Sequence, residues 1–206
     1  MTEPRILIAT KNQHKAGELA ALTIGLAGAL SLADWEKEAG RTLAEPAENG
    51  RSFLANARLK ANGYASATGL ITLADDSGLS VPALGGAPGI HSARFGGTGL
   101  SDHQRCLLLL RKMKNRRDRR AFFTTVLVLA RPDGSTLHWR GRLDGFITES
   151  PAGDNGFGYD PIFRAAGLSL TLAQLTPDCK NSISHRALAA RAFQADLTAV
   201  REFMGQ

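Results

Sequence analysis

Residues 70–79, Leu-Ile-Thr-Leu-Ala-Asp-Asp-Ser-Gly-Leu, are the stretch from which the fold is inferred. The apolar run 70–74 has the length and β-branched content of a buried strand, and the polar residues after it predict that the strand ends in a turn. Adjacent side chains of an extended chain point to opposite faces. We therefore expect Asp75 or Asp76 to face a crevice at the strand end, where open α/β sheets bind ligands. Taken alone, the four polar residues are more often a plain turn.

The composition is that of an ordinary globular protein. The chain has 206 residues, of which 43% are hydrophobic and 21% charged, enough for one domain with its own core. It has no apolar run of the ~20 residues needed to span a bilayer, and residues 1–5 do not resemble a signal peptide. Cys106 and Cys179 lack the spacing of a disulfide framework or a zinc site. We expect a single domain over 1–206, located in the cytoplasm.

The net charge of +6 comes from one local run, residues 111–120. Seven of the 25 basic residues and one of the 19 acidic residues lie there, which leaves 18 of each elsewhere. Such a run is most often a solvated helix end or loop, and it contains no aromatic residue that could stack on bases. We therefore expect no nucleic-acid partner.

The first strand leads into a candidate phosphate site. After the predicted strand 5–9 comes a polar turn and then a helix with Leu19, Leu22 and Leu26 on one face. Turn amides and a helix N-terminus point toward an anion, and Lys15 adds a charge, although the sequence contains no Walker loop. Taken alone, the turn is more often structural.

The other elements are predicted from periodicity, caps and turn signals. Residues 29–50 show no regular pattern. A helix over 52–64, capped by Ser52, places Asn56 and Lys60 on one stripe beside its apolar face. Further predictions are a helix over 102–114 capped by Ser101, a strand over 121–130, a turn at 133–134, strands over 137–140 and 141–148, and one C-terminal helix opened by residues 180–186.

Two later stretches carry aromatic or basic residues in unusual settings. In 153–163 a glycine-rich frame holds Phe157 and Tyr159, which is typical either of stacking on a flat base or of a loop that packs its own aromatics into the core. His185 and Arg186 are expected in the first turn of a helix, where the helix dipole disfavours cations. A ligand that accepts hydrogen bonds or carries negative charge would compensate for that placement.

Together these residues predict Mg²⁺-dependent chemistry on a polyphosphate. Carboxylates such as Glu48 and Asp76 hold a hard cation, lysines neutralise phosphate oxygens, and an aromatic ring stacks on a base. The donors or cations are Thr10, Asn12, Lys15, Lys60, Lys180, His185 and Arg186. This is an argument for a nucleotide phosphohydrolase.

The same residues resemble the inosine/xanthosine triphosphate pyrophosphatases. Six stretches carry the resemblance, in family order and almost from end to end: Ala9–Asn12 with Lys15, Glu48–Phe53 without Arg51 together with Asn56-Ala57 and Lys60-Ala61, Ala74–Leu79, Leu84–Arg94, Pro151–Phe163 without Asp154 and Asn155, and Ser184–Arg186. Lys11 departs from the family, which often has glycine there. The resemblance implies a single ITPase-like α/β domain with a twisted mixed sheet flanked by helices, two lobes and a cleft between them. It also implies a homodimer.

The resemblance further implies hydrolysis of ITP, dITP or XTP to the monophosphate and pyrophosphate, with Mg²⁺, or alternatively Mn²⁺, as cofactor. It assigns Asp76 as general base and metal ligand, Glu48 as metal ligand, and Asp75 as a nearby second carboxylate. The residues that it assigns to substrate binding are Thr10, Lys11, Asn12, Gln13, His14, Lys15, Lys60, Ser77, Phe157, Gly158, Tyr159, Asp160, Lys180, His185 and Arg186.

Two alternatives stay open. A related pyrophosphatase acting on modified pyrimidine or methylated triphosphates would share the phosphate-binding residues and differ in substrate profile. A basic nucleic-acid-binding protein would use residues 111–120, show salt-dependent binding, and leave Glu48, Asp76 and Arg186 unexplained.

Overall fold

The computed structural model describes residues 5–10, 13–24 and 26–205, and for Gln13, His14 and Glu18 it describes only the backbone. The strands are β1 Arg5–Ile8, β2 Gly28–Ser31, β3 Ile71–Ser80, β4 Arg120–Ala130, β5 Thr136–Ile147 and β6 Phe163–Ala165. The helices are α1 Gln13–Ala21, α2 Leu32–Ala39, α3 Phe53–Thr68, α4 Asp102–Lys112, α5 Pro177–Ile183, α6 His185–Ala195 and α7 Leu197–Met204.

The strands form one mixed sheet in the order β2-β1-β3-β4-β5-β6. β1 pairs in parallel with both β2 and β3, so that Ile6 lies opposite Ala29 on one side and Ile71 on the other. β5 and β6 pair antiparallel, with Phe146 opposite Arg164. The predicted α/β class with a mixed sheet flanked by helices is therefore confirmed.

The chain divides into two compact units, each with its own buried apolar residues. The first comprises residues 1–76, 126–140 and 189–206, and the second 77–125 and 141–188. The first unit has clusters of buried apolar residues around Leu7 and around Phe193, and the second unit has one around Phe163. The single domain and the cleft between lobes stay predictions.

The prediction that β3 ends before Asp75 is wrong. The strand runs through both carboxylates to Ser80, and the exposed fractions are 1% for Asp75 and 8% for Asp76. A buried carboxylate requires compensating charge or hydrogen bonds. Lysines on two helices supply that charge, so the strand can continue with an acid on each face.

Other element boundaries also differ from the predictions. Residues 32–39 form α2, which has a Ser31 N-cap that accepts from the Asp34 amide and a Gly40 C-cap at φ 64°. Leu26 is buried but lies beyond the end of α1, and β5 is one strand instead of two. Three helices take the place of the single C-terminal helix predicted to open at residues 180–186, and His185 and Arg186 lie in the first turn of α6, as expected.

None of the described helices has both the length and the apolar character needed to cross a bilayer. The longest, α3, spans 16 residues and carries Arg58 and Lys60.

Candidate functional site

In the first unit, acidic and basic side chains from four segments converge on the middle of β3. We call this set the carboxylate cluster; its members are Glu48, Asp75, Asp76, Lys15 and Lys60. Asp75 and Asp76 are adjacent on β3 and therefore project to opposite faces of the strand. Glu48 precedes α3, Lys60 lies within α3, and Lys15 lies in α1. The cluster thus contains three acids and two lysines in a largely buried setting.

Each lysine contacts a carboxylate directly. Lys15 Nζ lies 2.8 Å from Oδ2 of Asp75, and both side chains are mostly buried, with exposed fractions of 16% and 2%. Lys60 Nζ lies 2.5 Å from Oε1 of Glu48 and also donates to the backbone carbonyl of Asp75 at 3.0 Å. Lys60 therefore links the segment that carries Glu48 to the strand that carries the two aspartates.

Helix α3 is positioned by its ends. The Ser52 hydroxyl caps the N-terminus by accepting from the Ala55 amide at 3.1 Å, and Gly69 closes the C-terminus at φ 71°. Ala57, Ala61 and Ala65 are fully buried, so small side chains bring the helix close to its neighbours. Lys60, two turns into the helix, reaches β3 from this fixed position.

The charges in the cluster shift its pKa values. Burial raises the pKa of Asp76 to about 6; Lys60 and a hydrogen bond from Asn56 lower it, while Glu48 and Asp75 raise it. Burial alone would lower the pKa of Lys60, but Asp75, Glu48 and Asp76 raise it above 10.5. Lys60 is therefore a permanent cation, and Asp76 is a carboxylate with unusual proton affinity. Such perturbed groups are typical of functional sites.

Asn56 is a residue to which the sequence analysis assigned no role. Its side chain is fully buried, and its Oδ1 accepts from the Gly50 amide at 2.8 Å. A Cβ on Gly50 would lie 2.7 Å from that same oxygen, so only glycine fits there. Asn56 also lowers the pKa of Asp76, so it influences both the loop after Glu48 and the strand carboxylate. The feature of the sequence that could have indicated this role is the position of Asn56 four residues before Lys60, on the same side of the helix.

The carboxylate cluster has the chemistry to hold a divalent metal. Within the described residues there is no group of three or more His, Cys, Asp or Glu with a metal-binding arrangement. Mg²⁺, however, usually takes one or two protein carboxylates and completes its shell with waters and phosphate oxygens. Mutual repulsion among Glu48, Asp75 and Asp76, which raises the pKa of Asp76, is relieved by a bound cation. These residues therefore fit a hard divalent cation.

The predicted phosphate turn is only partly described. Thr10 follows β1 and is half-buried, and Gln13 and His14 begin α1. Lys11 and Asn12 lie outside the described residues. Of this group, the structure brings Lys15 to Asp75; the substrate roles of Thr10 to Lys15 stay predictions.

In the second unit, residues 156–160 form a loop that we call the aromatic loop. Lys180 Nζ lies 4.6 Å from the centroid of the Phe157 ring, and Arg186 Cζ lies 4.9 Å from it. Cations at this distance from a ring face are attracted by its quadrupole. The ring, Lys180 and Arg186 thus form one group, which the sequence analysis had placed together from motifs far apart in the chain.

Asp160 organises the aromatic loop from within. Its carboxylate accepts from the Phe157 amide at 2.9 Å and makes a buried ion pair with Lys180. A Cβ on Gly156 would collide with that carboxylate and lie 3.0 Å from Lys180 Nζ, and Gly156 has φ 78°. Glycine is therefore required at 156 both by the backbone conformation and by the ion pair.

The side chains of Tyr159 and His185 are buried in the core. The Tyr159 hydroxyl donates to the Ser92 carbonyl at 2.9 Å, and burial raises the pKa of Tyr159. The His185 ring stacks on Phe123 with 4.6 Å between centroids and is 3% exposed. The alternative that 153–163 packs an aromatic into the core thus holds for Tyr159.

Ser77 continues β3 directly after Asp76 and is half-buried. The substrate roles of Ser77, Tyr159 and His185 stay predictions.

Comparison with known proteins relates the chain to one family along nearly its whole length. A family model described as the Ham1 family matches residues 6–196. A dITP/XTP pyrophosphatase from Deinococcus radiodurans is 46% identical over 191 residues, which cover 93% of this chain and 92% of that protein.

Solved structures agree with this relationship. A Ham1 protein from Staphylococcus aureus aligns with TM-score 0.86 and 38% identity over 95% of this chain and 99% of that one. One from Coxiella burnetii aligns with TM-score 0.87 and 35% identity over the same shares of the two chains.

Proposed function

Because this chain belongs to the Ham1 family, we propose that it hydrolyses dITP, XTP and ITP to the corresponding monophosphate and pyrophosphate. The observation that carries the proposal is the carboxylate cluster, in which Lys60 joins Glu48 to the strand of Asp75 and Asp76. Relatives such as the one from Deinococcus radiodurans are named dITP/XTP pyrophosphatase. The reaction would remove deaminated purine nucleotides before they enter DNA and RNA.

We assign the triphosphate to the carboxylate cluster and the turn before it. Lys15 and Lys60 carry the positive charge that phosphate oxygens require, and the first turn of α1 supplies backbone amides. Thr10, Lys11, Asn12, Gln13 and His14 complete the proposed phosphate-binding group, and Ser77 adds a hydroxyl. Binding the triphosphate would draw Lys15 and Lys60 partly away from their carboxylates.

We assign Mg²⁺ to Glu48 and Asp76, with Asp75 beside them; Mn²⁺ is the alternative ion. A bound divalent ion neutralises phosphate charge and lowers the pKa of a coordinated water. The fit rests on the carboxylate oxygens and on their mutual repulsion. Lys60 meanwhile holds Glu48 toward β3, which keeps the two proposed ligands on facing segments.

We assign Asp76 as the general base. Water attacks the α-phosphorus, a bond forms between them, the bond from that phosphorus to the bridging oxygen breaks, and pyrophosphate leaves. The water proton passes to the Asp76 carboxylate. Burial raises the pKa of Asp76 to about 6 in the metal-free protein, and a bound cation would lower it, so the carboxylate acts as a modest base whose main advantage is its position. Asn56 and Lys60 keep the carboxylate ionised despite its burial.

We assign recognition of the base to the aromatic loop and to residues 180–186. The Phe157 ring would stack on the base, while Gly158, Tyr159 and Asp160 frame it. Hypoxanthine and xanthine carry a keto acceptor at position 6, where adenine carries an amino donor. Donors on Lys180, His185 and Arg186 would be left unpaired against adenine, a mismatch that gives roughly 10⁴-fold rejection.

The test is pyrophosphate release from dITP, XTP, ITP, GTP and ATP, with Mg²⁺, with Mn²⁺ and with chelator. Metal-dependent release from the first three, with little from GTP and ATP, is the expected result. Equal release from all five would remove the assigned base recognition but keep the phosphate chemistry. Release only from modified pyrimidine or methylated triphosphates would favour the related pyrophosphatase instead.

A homodimer and a cytoplasmic location are the finer parts of the proposal. The dimer rests on the family resemblance, and the location on a substrate that belongs to the cellular nucleotide pool. Light scattering after size-exclusion chromatography checks the first, and fractionation of cells that express the tagged chain checks the second. A monomer at micromolar concentration, or a membrane-bound pool, would contradict these parts alone.

A further inference from the structure

Gly158, at the centre of the aromatic loop, is held by both of its backbone polar groups. Its amide donates to Oδ2 of Asp102 at 2.8 Å, and its carbonyl accepts from the Cys106 thiol at 3.2 Å. Asp102 and Cys106 are four residues apart on α4, so their side chains lie on the same face of the helix. Two side chains on one face of α4 thus hydrogen bond to a single loop residue that is more than 50 positions away in sequence.

The Cys106 thiol is a lasting hydrogen-bond donor. The residue is 1% exposed, and burial, together with the charges of Asp102 and Asp160, raises the pKa of Cys106 to about 12. The sulfur therefore keeps its proton at neutral pH, and S–H is a weak donor. Gly158 has a left-handed backbone conformation with φ 63°, so its carbonyl takes no part in regular helix or sheet hydrogen bonds. It therefore needs another donor, which the thiol supplies.

Helix α4 is a rigid support for these contacts. A capping box closes its N-terminus, in which the Ser101 hydroxyl accepts from the Gln104 amide and the Gln104 side chain accepts from the Ser101 amide. Leu109 and Met113 are fully buried in the same apolar cluster as Cys106. Asp102 begins the helix, where the dipole favours a negative charge. Its side chain is half exposed, at 54%, although Oδ2 accepts from the Gly158 amide and Oδ1 pairs with Arg105 at 3.3 Å.

The contacts at Gly158 fall between the two residues assigned to the base. Phe157, which precedes it, has its ring beside Lys180 and Arg186, and Asp160, two residues later, pairs with Lys180. The Tyr159 hydroxyl, bound to the Ser92 carbonyl, anchors the next residue separately. Release of Gly158 would therefore free the peptide that sets the direction of Phe157, while Tyr159 stays in the core.

We propose that Asp102 and Cys106 are positioning residues for nucleotide binding, which preset the aromatic loop by holding Gly158. The inference rests on the proposed function, because it takes Phe157 to stack on the base. A loop that is ordered in advance loses less entropy when substrate binds, so the helix contributes to affinity without touching the nucleotide. The effect is a change in KM rather than in kcat, because the base is remote from the reacting phosphorus.

The first measurement is hydrogen exchange of the Gly158 amide by NMR, without nucleotide. Asp102→Ala removes the acceptor and is expected to speed exchange at Gly158 by about tenfold or more. Asp102→Asn keeps an acceptor oxygen and is expected to stay near the wild-type rate. The matched control is His103→Ala, an exposed neighbour on the same helix turn. Unchanged exchange in Asp102→Ala overturns the inference.

The second measurement is the kinetic split on dITP. Asp102→Ala is expected to raise KM about five- to tenfold with kcat within about twofold, and Asp102→Asn to recover most of the loss. Cys106→Ala is expected to act in the same direction, with Cys106→Ser retaining a donor. In the double Ala variant, the increase in KM is expected to be smaller than the product of the two single increases, because both contacts hold the same residue.

The outcomes separate the inference from the proposed function. A wild-type protein that releases no pyrophosphate from dITP, XTP or ITP refutes the proposed function, and the inference with it. An active wild type whose Asp102→Ala variant has fast Gly158 exchange but an unchanged KM refutes the inference alone. Asp102 is half exposed, so this variant is expected to fold even if the Cys106 variants do not.

Discussion

Lys60 Nζ lies 2.5 Å from the Glu48 carboxylate and 3.0 Å from the Asp75 carbonyl, so one ammonium group joins a loop to the central strand. The charge of Lys60 also lowers the pKa of the neighbouring Asp76, against the effect of burial. This relationship makes the carboxylate cluster a coupled unit, in which replacement of one member changes the others.

Replacing Lys60 tests this coupling. Lys60→Met keeps the aliphatic stem and removes the charge, so the pKa of Asp76 is expected to rise above about 6 in the metal-free protein. Carboxyl NMR titration measures the shift directly. Arg58→Met, on the same helix but absent from the charges that act on Asp76, is the control and is expected to leave the titration unchanged. An unshifted Asp76 in Lys60→Met would remove Lys60 as the compensating cation.

Asp76→Asn is expected to abolish turnover and to stabilise the metal-free fold. Burial raises the folded-state pKa to about 6 from 3.8, so the ionised form is disfavoured in the fold. The penalty is absent below the unfolded pKa, grows between about pH 4 and 6, and is complete above 6. From the linkage relation it amounts to about 1–3 kcal/mol.

Urea unfolding in chelator at two pH values checks this prediction. The variant is expected to exceed the wild type in stability at pH 8 and to match it near pH 4. Nucleotide binding, measured without turnover, is expected to be largely retained. Activity of Asp76→Asn at the wild-type level would contradict the assignment of Asp76 as the general base. Equal stability of the variant and the wild type at pH 8 would show that burial of the ionised carboxylate carries no cost.

Asn56→Ala is expected to weaken metal binding and to lower the stability of the fold. The variant loses the acceptor for the partly buried Gly50 amide and the side chain that lowers the pKa of Asp76, and a donor left unsatisfied costs about 1–3 kcal/mol when it is buried. The Mg²⁺ concentration for half-maximal activity is expected to rise severalfold. Asn62→Ala, on the same helix, is the comparison. A stability loss with unchanged Mg²⁺ dependence would make Asn56 a purely structural residue.

Phe157→Ala is expected to raise KM for every nucleotide, because stacking of a base on an aromatic ring contributes about 1–3 kcal/mol and depends little on the base. Steady-state kinetics on dITP and XTP measure the change. Phe157→Tyr keeps the ring and is expected to stay close to wild type. An unchanged KM in Phe157→Ala would mean that the ring serves only Lys180 and Arg186.

Arg186→Ala is expected to erode discrimination between ITP and ATP, because it removes the donor proposed to distinguish a keto oxygen from an amino group. The measured quantity is the ratio of kcat/KM for the two nucleotides. Arg191→Ala, one turn and a half further along α6, is the control. An equal loss on both nucleotides would make Arg186 a phosphate-binding or structural residue instead.

The local patterns predicted elements whose ends are marked by side chains. Ser52 and Ser101 cap their helices as expected, and residues 121–130 lie within β4. The same signals were present for α2, where Ser31 and Gly40 bound eight residues, but no apolar period drew attention to them. Caps act within one turn, and this is why they can be recognised without knowledge of the rest of the chain.

The sequence by itself determined the family and the candidate residues for its chemistry, because motifs of acids, lysines and glycines can be recognised without knowledge of which parts of the chain meet in space. It could not determine that β3 continues through Asp75 and Asp76, because the burial of two acids depends on lysines from α1 and α3. Nor could it reveal that α4 holds Gly158, or that His185 stacks on Phe123. Contacts between residues far apart in sequence form only when the tertiary structure brings their elements together, and those contacts decide the charge, exposure and orientation of each functional group.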